Sequence, residues 1–404
     1  MEASFVSPLP EKDASASNPY EVFFSLVYPA RIKEYERHWR DRYNFLLTHG
    51  YKLRSRYHPD WTPSWKTPGT KQKNPVYCED AHEHVIYMVM DALRTADNSK
   101  VCIKRITKAS DEIAIGKYLT SEELLSDSKN HCLPVLDDFV DPEDPTISYM
   151  IMPLLRDFND PEFGAHGEVI DCVTQLLEGL VFMHDHLVAH TDLTTVNIMM
   201  DAQPILPQGW HFASPSVAPN GYENIKPLPR IDYPVRYYLI DFDGSIRFSP
   251  GESPVIKGVG GRDNDPPELI TPHIPFDQYK LDVFTLGNVF RKEFQQVKYL
   301  NLDFLDGLIP MMMTHDFRQR PTSQAVLDYW YKTRERIPIA SARWPLRKPT
   351  ETIVETVINT VAAARSGVNN LRYFFEEVGL SLVVCLDMLF NLVCVKDKRT
   401  WANP

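Results

Sequence analysis

Between Val85 and Ile106 short apolar runs alternate with turn-forming residues, and beyond Glu168 that rhythm gives way to helical spacing. Val85-Ile86-Tyr87-Met88-Val89-Met90 and Lys100-Val101-Cys102-Ile103-Lys104-Arg105-Ile106 read as strands, joined through the turn-like Ala96-Asp97-Asn98-Ser99. Ser148 to Met152 reads as a further strand, ended by Pro153, and Ser110 to Leu125 as a helix. From Glu168 to His186, Val169, Ile170, Val173, Leu176, Leu177 and Leu180 recur on one side, the mark of a core-facing helix. After Asp241 the pattern is helical again, through Leu281 to Gly287 and on to Tyr331. Strands first and helices afterwards predict an α+β fold.

The flanks read differently. Residues 1–20 are rich in Ser, Pro and Glu and read as a mobile N-terminus. Glu21 to Leu47 has apolar residues at roughly helical spacing, so at least one amphipathic helix is expected there. Tyr51 to Trp65 carries prolines and paired tryptophans, which suit an irregular segment strapped to the body; a dedicated partner site is the alternative. A Pro- and aromatic-containing insertion occupies about 203–234. Near the C-terminus, Gly379 to Leu386 and Met388 to Val395 are apolar but separated by Asp387. A carboxylate in the middle is poor for a spanning helix. A packed or amphipathic helix is expected, with partner or membrane-surface contact and a tail anchor as the alternatives.

Composition narrows the function classes. Apolar residues make up 43% of the 404, ample for a core, and 11% aromatics argues against global disorder. A net charge of −11 disfavours nucleic acid or an anionic membrane as the main partner. The six cysteines show no C-x-x-C pair and no zinc-type spacing, and the Met1-Glu2-Ala3-Ser4-Phe5 start lacks a basic, apolar leader. An intracellular, cytoplasmic location is expected, with the nucleus left open.

The chemistry concentrates in two strings. His190-Thr191-Asp192-Leu193-Thr194-Thr195-Val196-Asn197 has the form H-x-D-L-x-x-x-N, and Ile240-Asp241-Phe242-Asp243-Gly244 is an apolar strand ending in an acidic turn. One carboxylate to orient and deprotonate a hydroxyl, with an amide and a second carboxylate for magnesium, is the set phosphoryl transfer needs. Together the strings resemble the catalytic and metal-binding loops of the eukaryotic protein kinases. The resemblance covers roughly residues 85–335.

It implies a two-lobed fold, with a β-rich N-lobe over 84–152, a helical C-lobe over 153–335, an extension over 21–83 packed on the body, and a helical extension over 336–404. It also implies ATP and magnesium as cofactors and a protein Ser/Thr hydroxyl as acceptor. By the same resemblance Asp192 is the catalytic base, Asn197 and Asp241 hold magnesium, and Lys104 in Val101-Cys102-Ile103-Lys104 reaches the phosphates. Glu112 is the expected partner of Lys104, with Glu122 and Glu123 as fallbacks. Met152-Pro153-Leu154-Leu155 resembles the hinge, with Met152 at the back of the nucleotide pocket and Leu155 beside it. Pro266-Pro267-Glu268, Asp282 and Arg320 resemble structural marks of the lower lobe. A narrower similarity, to the divergent kinase-like proteins of mushroom-forming fungi, rests on Leu53 to Trp65, Met152 to Arg156 and the insertion.

Four departures weaken the pattern. Met90 to Asp97 contains no glycine where a phosphate-covering loop is expected, Thr194 stands for a lysine, Asp243 for a glycine and Thr191 for an arginine. The loss of a positive charge at Thr194 is expected to slow transfer. Two other readings therefore stay open: a pseudokinase scaffold or switch, and transfer to a small molecule or lipid.

Overall fold

The computed structural model describes residues 28–67, 74–107, 110–257, 260–271, 273–295 and 298–350. The expected N-terminal segment and the C-terminal apolar tail lie outside them. The fold is mixed α+β. The described residues divide into two compact units, one from those within Met1–Lys117, Leu133–Leu155 and Asp201–Pro227, the other from those within Tyr118–Cys132, Arg156–Met200 and Leu228–Pro404.

The first unit is built on a five-stranded antiparallel sheet. Its strands are β1 (Tyr51–Leu53), β2 (Val89–Arg94), β3 (Lys100–Thr107), β4 (Asp137–Val140) and β5 (Ile147–Pro153), in the order β1-β2-β3-β5-β4. Side chains alternate across it. Tyr51, Leu53, Met90, Ala92, Val101 and Ile103 point to one face, where they pack with Trp39, Tyr43 and Leu46 from the short helices α1 (Arg37–Asp41) and α2 (Tyr43–Thr48). The helices expected over Glu21 to Leu47 thus appear as short pieces in the described part. The pairing Lys52↔Leu93, Asp91↔Cys102 and Val89↔Lys104 puts these residues on the other face.

Two expected elements move. The strand expected over Val85 to Met90 runs instead from Val89 to Arg94, leaving Val85, Ile86 and Tyr87 exposed. The turn decides this: Arg94 N–H bonds the Ser99 carbonyl at 2.9 Å and fixes the register, and Met90 and Ala92 supply the buried alternation. The helix expected over Ser110 to Leu125 is divided into α3 (Glu112–Leu119) and α4 (Glu122–Leu125), because Ser121 is extended at φ −58°, ψ 155°. Ser and Thr compete with helical backbone bonding, and Thr120-Ser121 is the break.

The Tyr51 to Trp65 stretch is held by charge. Arg56 and Glu36 form a fully buried pair at 2.7 Å, while Asp80 accepts from Trp61 Nε1 at 2.9 Å and Ser64 Oγ at 2.6 Å. These bonds tie the extension down within its unit. The insertion's first part joins the same unit: His82 Nε2 donates to the Gly221 carbonyl at 2.7 Å.

The second unit is organised on α5 (His166–Asp185), whose Val169, Cys172, Val173, Leu176, Leu177 and Leu180 are all fully buried. It carries the short strands β6 (Arg156–Asp157), β7 (Val188–Ala189), β8 (Ile198–Asp201), β9 (Arg236–Leu239) and β10 (Ile246–Arg247). The helices α6 (Gln278–Phe290), α7 (Leu308–Met312) and α8 (Ser323–Arg334) follow. Strands β6, β8 and β9 form one small sheet, β7 and β10 another, and the loop from His190 to Asn197 is suspended between β7 and β8. Among the described residues no helix is long and apolar enough to cross a membrane.

Candidate functional site

The candidate residues fall into two groups, one in each unit. In the first, Lys104 Nζ on β3 donates to both carboxylate oxygens of Glu112, at 2.6 and 2.7 Å. Glu112 opens α3, where a carboxylate is favoured by the helix dipole, and its side chain is 2% exposed. Glu122 and Glu123, the fallbacks, are exposed residues of α4 in the second unit. Met152 lies opposite Cys102 in the β3–β5 ladder, and Met152 and Leu155 are both buried. Burial pushes the Cys102 thiol up to about 12, which removes it as a nucleophile at neutral pH. On the Lys104 face of the sheet, Asp91 pairs with Arg54 at 2.9 Å. That part of the face carries ion-paired side chains.

In the second unit the loop is fixed from below. Asp282 of α6 accepts from His190 N–H at 2.8 Å and Thr191 N–H at 2.7 Å, and is itself wholly buried beside His184. His190 Nε2 donates to the Ile240 carbonyl at 2.9 Å, so its ring joins the two strings. Thr191 at φ +68° and Asp241 at φ +66° occupy left-handed backbone, costly for residues with a Cβ. Thr191 is held there by the bond from Oγ1 to the Gly244 carbonyl at 2.8 Å.

This frame brings Asp192, Asn197 and Asp241 together. Asn197 Nδ2 donates to the Asp192 carbonyl at 2.8 Å and to Asp192 Oδ2 at 3.0 Å, which turns its Oδ1 away from Asp192. That Oδ1 accepts from Arg262 Nη1 at 3.0 Å, and Asp241 Oδ2 accepts from Arg262 Nη2 at 3.2 Å. Arg262 Nη1 is also 3.3 Å from Asp192 Oδ2, and the Arg262 backbone N–H bonds Asp192 Oδ1 at 2.6 Å. One guanidinium therefore contacts three oxygens, one each from Asp192, Asn197 and Asp241. The approach needs Gly261: a Cβ there would lie 2.2 Å from Asp192 Oδ1. The sequence carries the signal, a Gly260-Gly261-Arg262 run ahead of Pro266-Pro267-Glu268, but nothing in its spacing ties that run to Asp192.

Two carboxylates and one amide oxygen suit magnesium shared with phosphates and water better than a transition metal. Among the described residues no group of three or more His, Cys, Asp or Glu side chains could hold a metal. A cavity of about 400 Å³ opens beside the loop, walled in part by Thr194, Thr195, Arg262, Asn264 and Lys292. Thr194 Oγ1 is buried there without a hydrogen-bond partner. Asp243 is exposed. Farther out, Glu268 and Arg320 form a bidentate pair at 2.7 and 3.0 Å, both buried. No protein-family model matches the chain, and no curated protein matches its sequence.

Proposed function

We propose that the protein is a protein-kinase-like phosphotransferase that moves the γ-phosphate of ATP to a protein Ser or Thr hydroxyl, on a two-lobed fold of the kinase type. The convergence of Asp192, Asn197 and Asp241 on a single bound cationic group carries the reading. Magnesium fits the same donors, through Asn197 Oδ1 and Asp241 Oδ2, and when bound with ATP would neutralise charge on the phosphates. Lys104, steered by Glu112, supplies a fixed positive charge for phosphate oxygens. Asp192 is oriented by Asn197 Nδ2 and the Arg262 N–H, and takes the proton of the attacking hydroxyl. Arg262 is the positive group nearest Asp192 and offsets the lysine missing at Thr194.

The Arg54–Asp91 pair favours a second reading, a pseudokinase scaffold. A flat adenine ring gains most from apolar walls, and this stretch of the Lys104 face offers a salt bridge. Turnover separates the two. Release or transfer of the ATP γ-phosphate by the purified chain, lost in Asp192→Ala with ATP binding kept, supports the enzyme. Binding without turnover in the native chain supports the scaffold.

A further inference from the structure

A second cavity, of about 500 Å³, lies wholly within the first unit, between the β1–β3 end of the sheet and the insertion. Its size suits a small molecule. Lys52, Arg54 and Lys100 line it, against Glu79 and Asp91, so positive side chains outnumber negative ones locally in a chain of net charge −11. Tyr43, Trp210 and Phe212 give it flat aromatic walls.

Two polar atoms of its lining residues lack partners. Arg54 Nε donates to Asp91 at 2.9 Å and Nη1 to the His82 carbonyl at 3.0 Å, yet Nη2 is buried with no hydrogen bond. His211 Nε2 lies 3.3 Å from Glu79 Oε1, and its Nδ1 is likewise buried and unbonded. Buried polar nitrogens left this way are rare and costly. Lys100 donates to the neutral Trp210 carbonyl at 3.2 Å, and neither Lys52 nor Lys100 has an ion-pair partner among the described residues.

The insertion is shaped to make this wall. Gly209 has φ +73°, and a Cβ there would come within 3.0 Å of Lys100 Nζ. Phe212 packs on the His84 ring at 4.4 Å.

We propose that this cavity binds a small organic anion, a phosphate or carboxylate carried on a flat apolar body. Arg54 is ion-paired to both lining carboxylates, Asp91 at 2.9 Å and Glu79 at 3.7 Å, so the anion would meet the charge of Lys52 and Lys100, and the body would lie against Trp210 and Phe212. The cavity shares the sheet face that carries Lys104, and retention of binding in Lys104→Met separates it from the phosphotransferase reading.

Calorimetric titration of the full chain with phenyl phosphate, benzoate and inorganic phosphate tests it. Saturable binding of phenyl phosphate or benzoate is expected, weakened at least about tenfold in Lys52→Met/Lys100→Met and retained in Lys104→Met. Whichever ring-bearing probe binds more tightly identifies the anion as phosphate or carboxylate. The lysine pair is chosen because removing Arg54 would break its ion pairs with Asp91 and Glu79. No saturable binding of either ring-bearing probe up to about 10 mM, or binding that the double variant keeps, would overturn the proposal. So would inorganic phosphate binding as tightly as phenyl phosphate.

Discussion

Arg262 brings one positive charge into contact with Asp192, Asn197 and Asp241, and a divalent ion placed at those oxygens would compete with it. Arg262→Ala is therefore expected to tighten binding of Mn2+, used as a probe for magnesium, by about tenfold, read by electron paramagnetic resonance. Unchanged affinity would mean the guanidinium only rests there. The Lys104–Glu112 pair makes a different prediction. With Glu112 almost wholly buried, Lys104→Met removes the ammonium bonded to both of its carboxylate oxygens and is expected to cost about 3–5 kcal/mol in urea unfolding. Lys104→Met/Glu112→Leu, which removes both charges, is expected to recover most of that loss. Most candidate residues were legible because their motifs are local: Asp192 and Asn197 are five positions apart, and Lys104 and Glu112 eight. Arg262 was not, since it reaches Asp192 across seventy positions through a glycine whose purpose only the fold reveals.

Among the elements, the sheet and its two short helices share the core of the first unit. Trp39 is 1% exposed, packs in the core cluster and donates its indole N–H to the Tyr87 carbonyl at 3.1 Å. Trp39→Ala is expected to cost about 3–5 kcal/mol, measured by chemical unfolding, and a loss below about 1 kcal/mol would argue that α1 is dispensable. The same unit holds two histidines that stay neutral. Burial, then the Arg54 charge, lowers His84 to about 4, and burial, then Arg105 and Arg42, lowers His38 to about 4. An unfolded chain protonates both near the ordinary value of 6.5. Stability is then fully present above that value and falls as the pH drops from 6.5 towards 4, where the folded groups begin to titrate. His84→Gln should flatten part of that slope in a pH series of unfolding midpoints, and an unchanged slope would contradict the assignment. Strands and the long helix were legible from periodicity. Strand register was set by the Ala96–Ser99 turn, and the α3–α4 break by Ser121, local choices that apolar counting does not see.

On the scale of the whole molecule, the α+β class followed from the order of strands and helices, while membership of the insertion did not. Residues 201–227 join the first unit through His82, His84 and Lys100, bonds between distant segments that carry no periodic signal. The long-range pair Glu268–Arg320 was foreseeable only through the motifs flanking it. Its buried, bidentate geometry means Glu268→Ala should cost about 3–5 kcal/mol and loosen the second unit, visible as faster hydrogen exchange there. The central claim is that the chain binds ATP with magnesium through Lys104 and Asp241. Thermal unfolding of the native chain with and without ATP and magnesium tests it most directly, beside Lys104→Met and Asp241→Asn. At about 100 times the dissociation constant the ligand should add about 2.7 kcal/mol, a rise of roughly 3–5 °C that needs the metal and is lost in both variants. No rise with millimolar ATP and magnesium in the folded native chain would contradict the account.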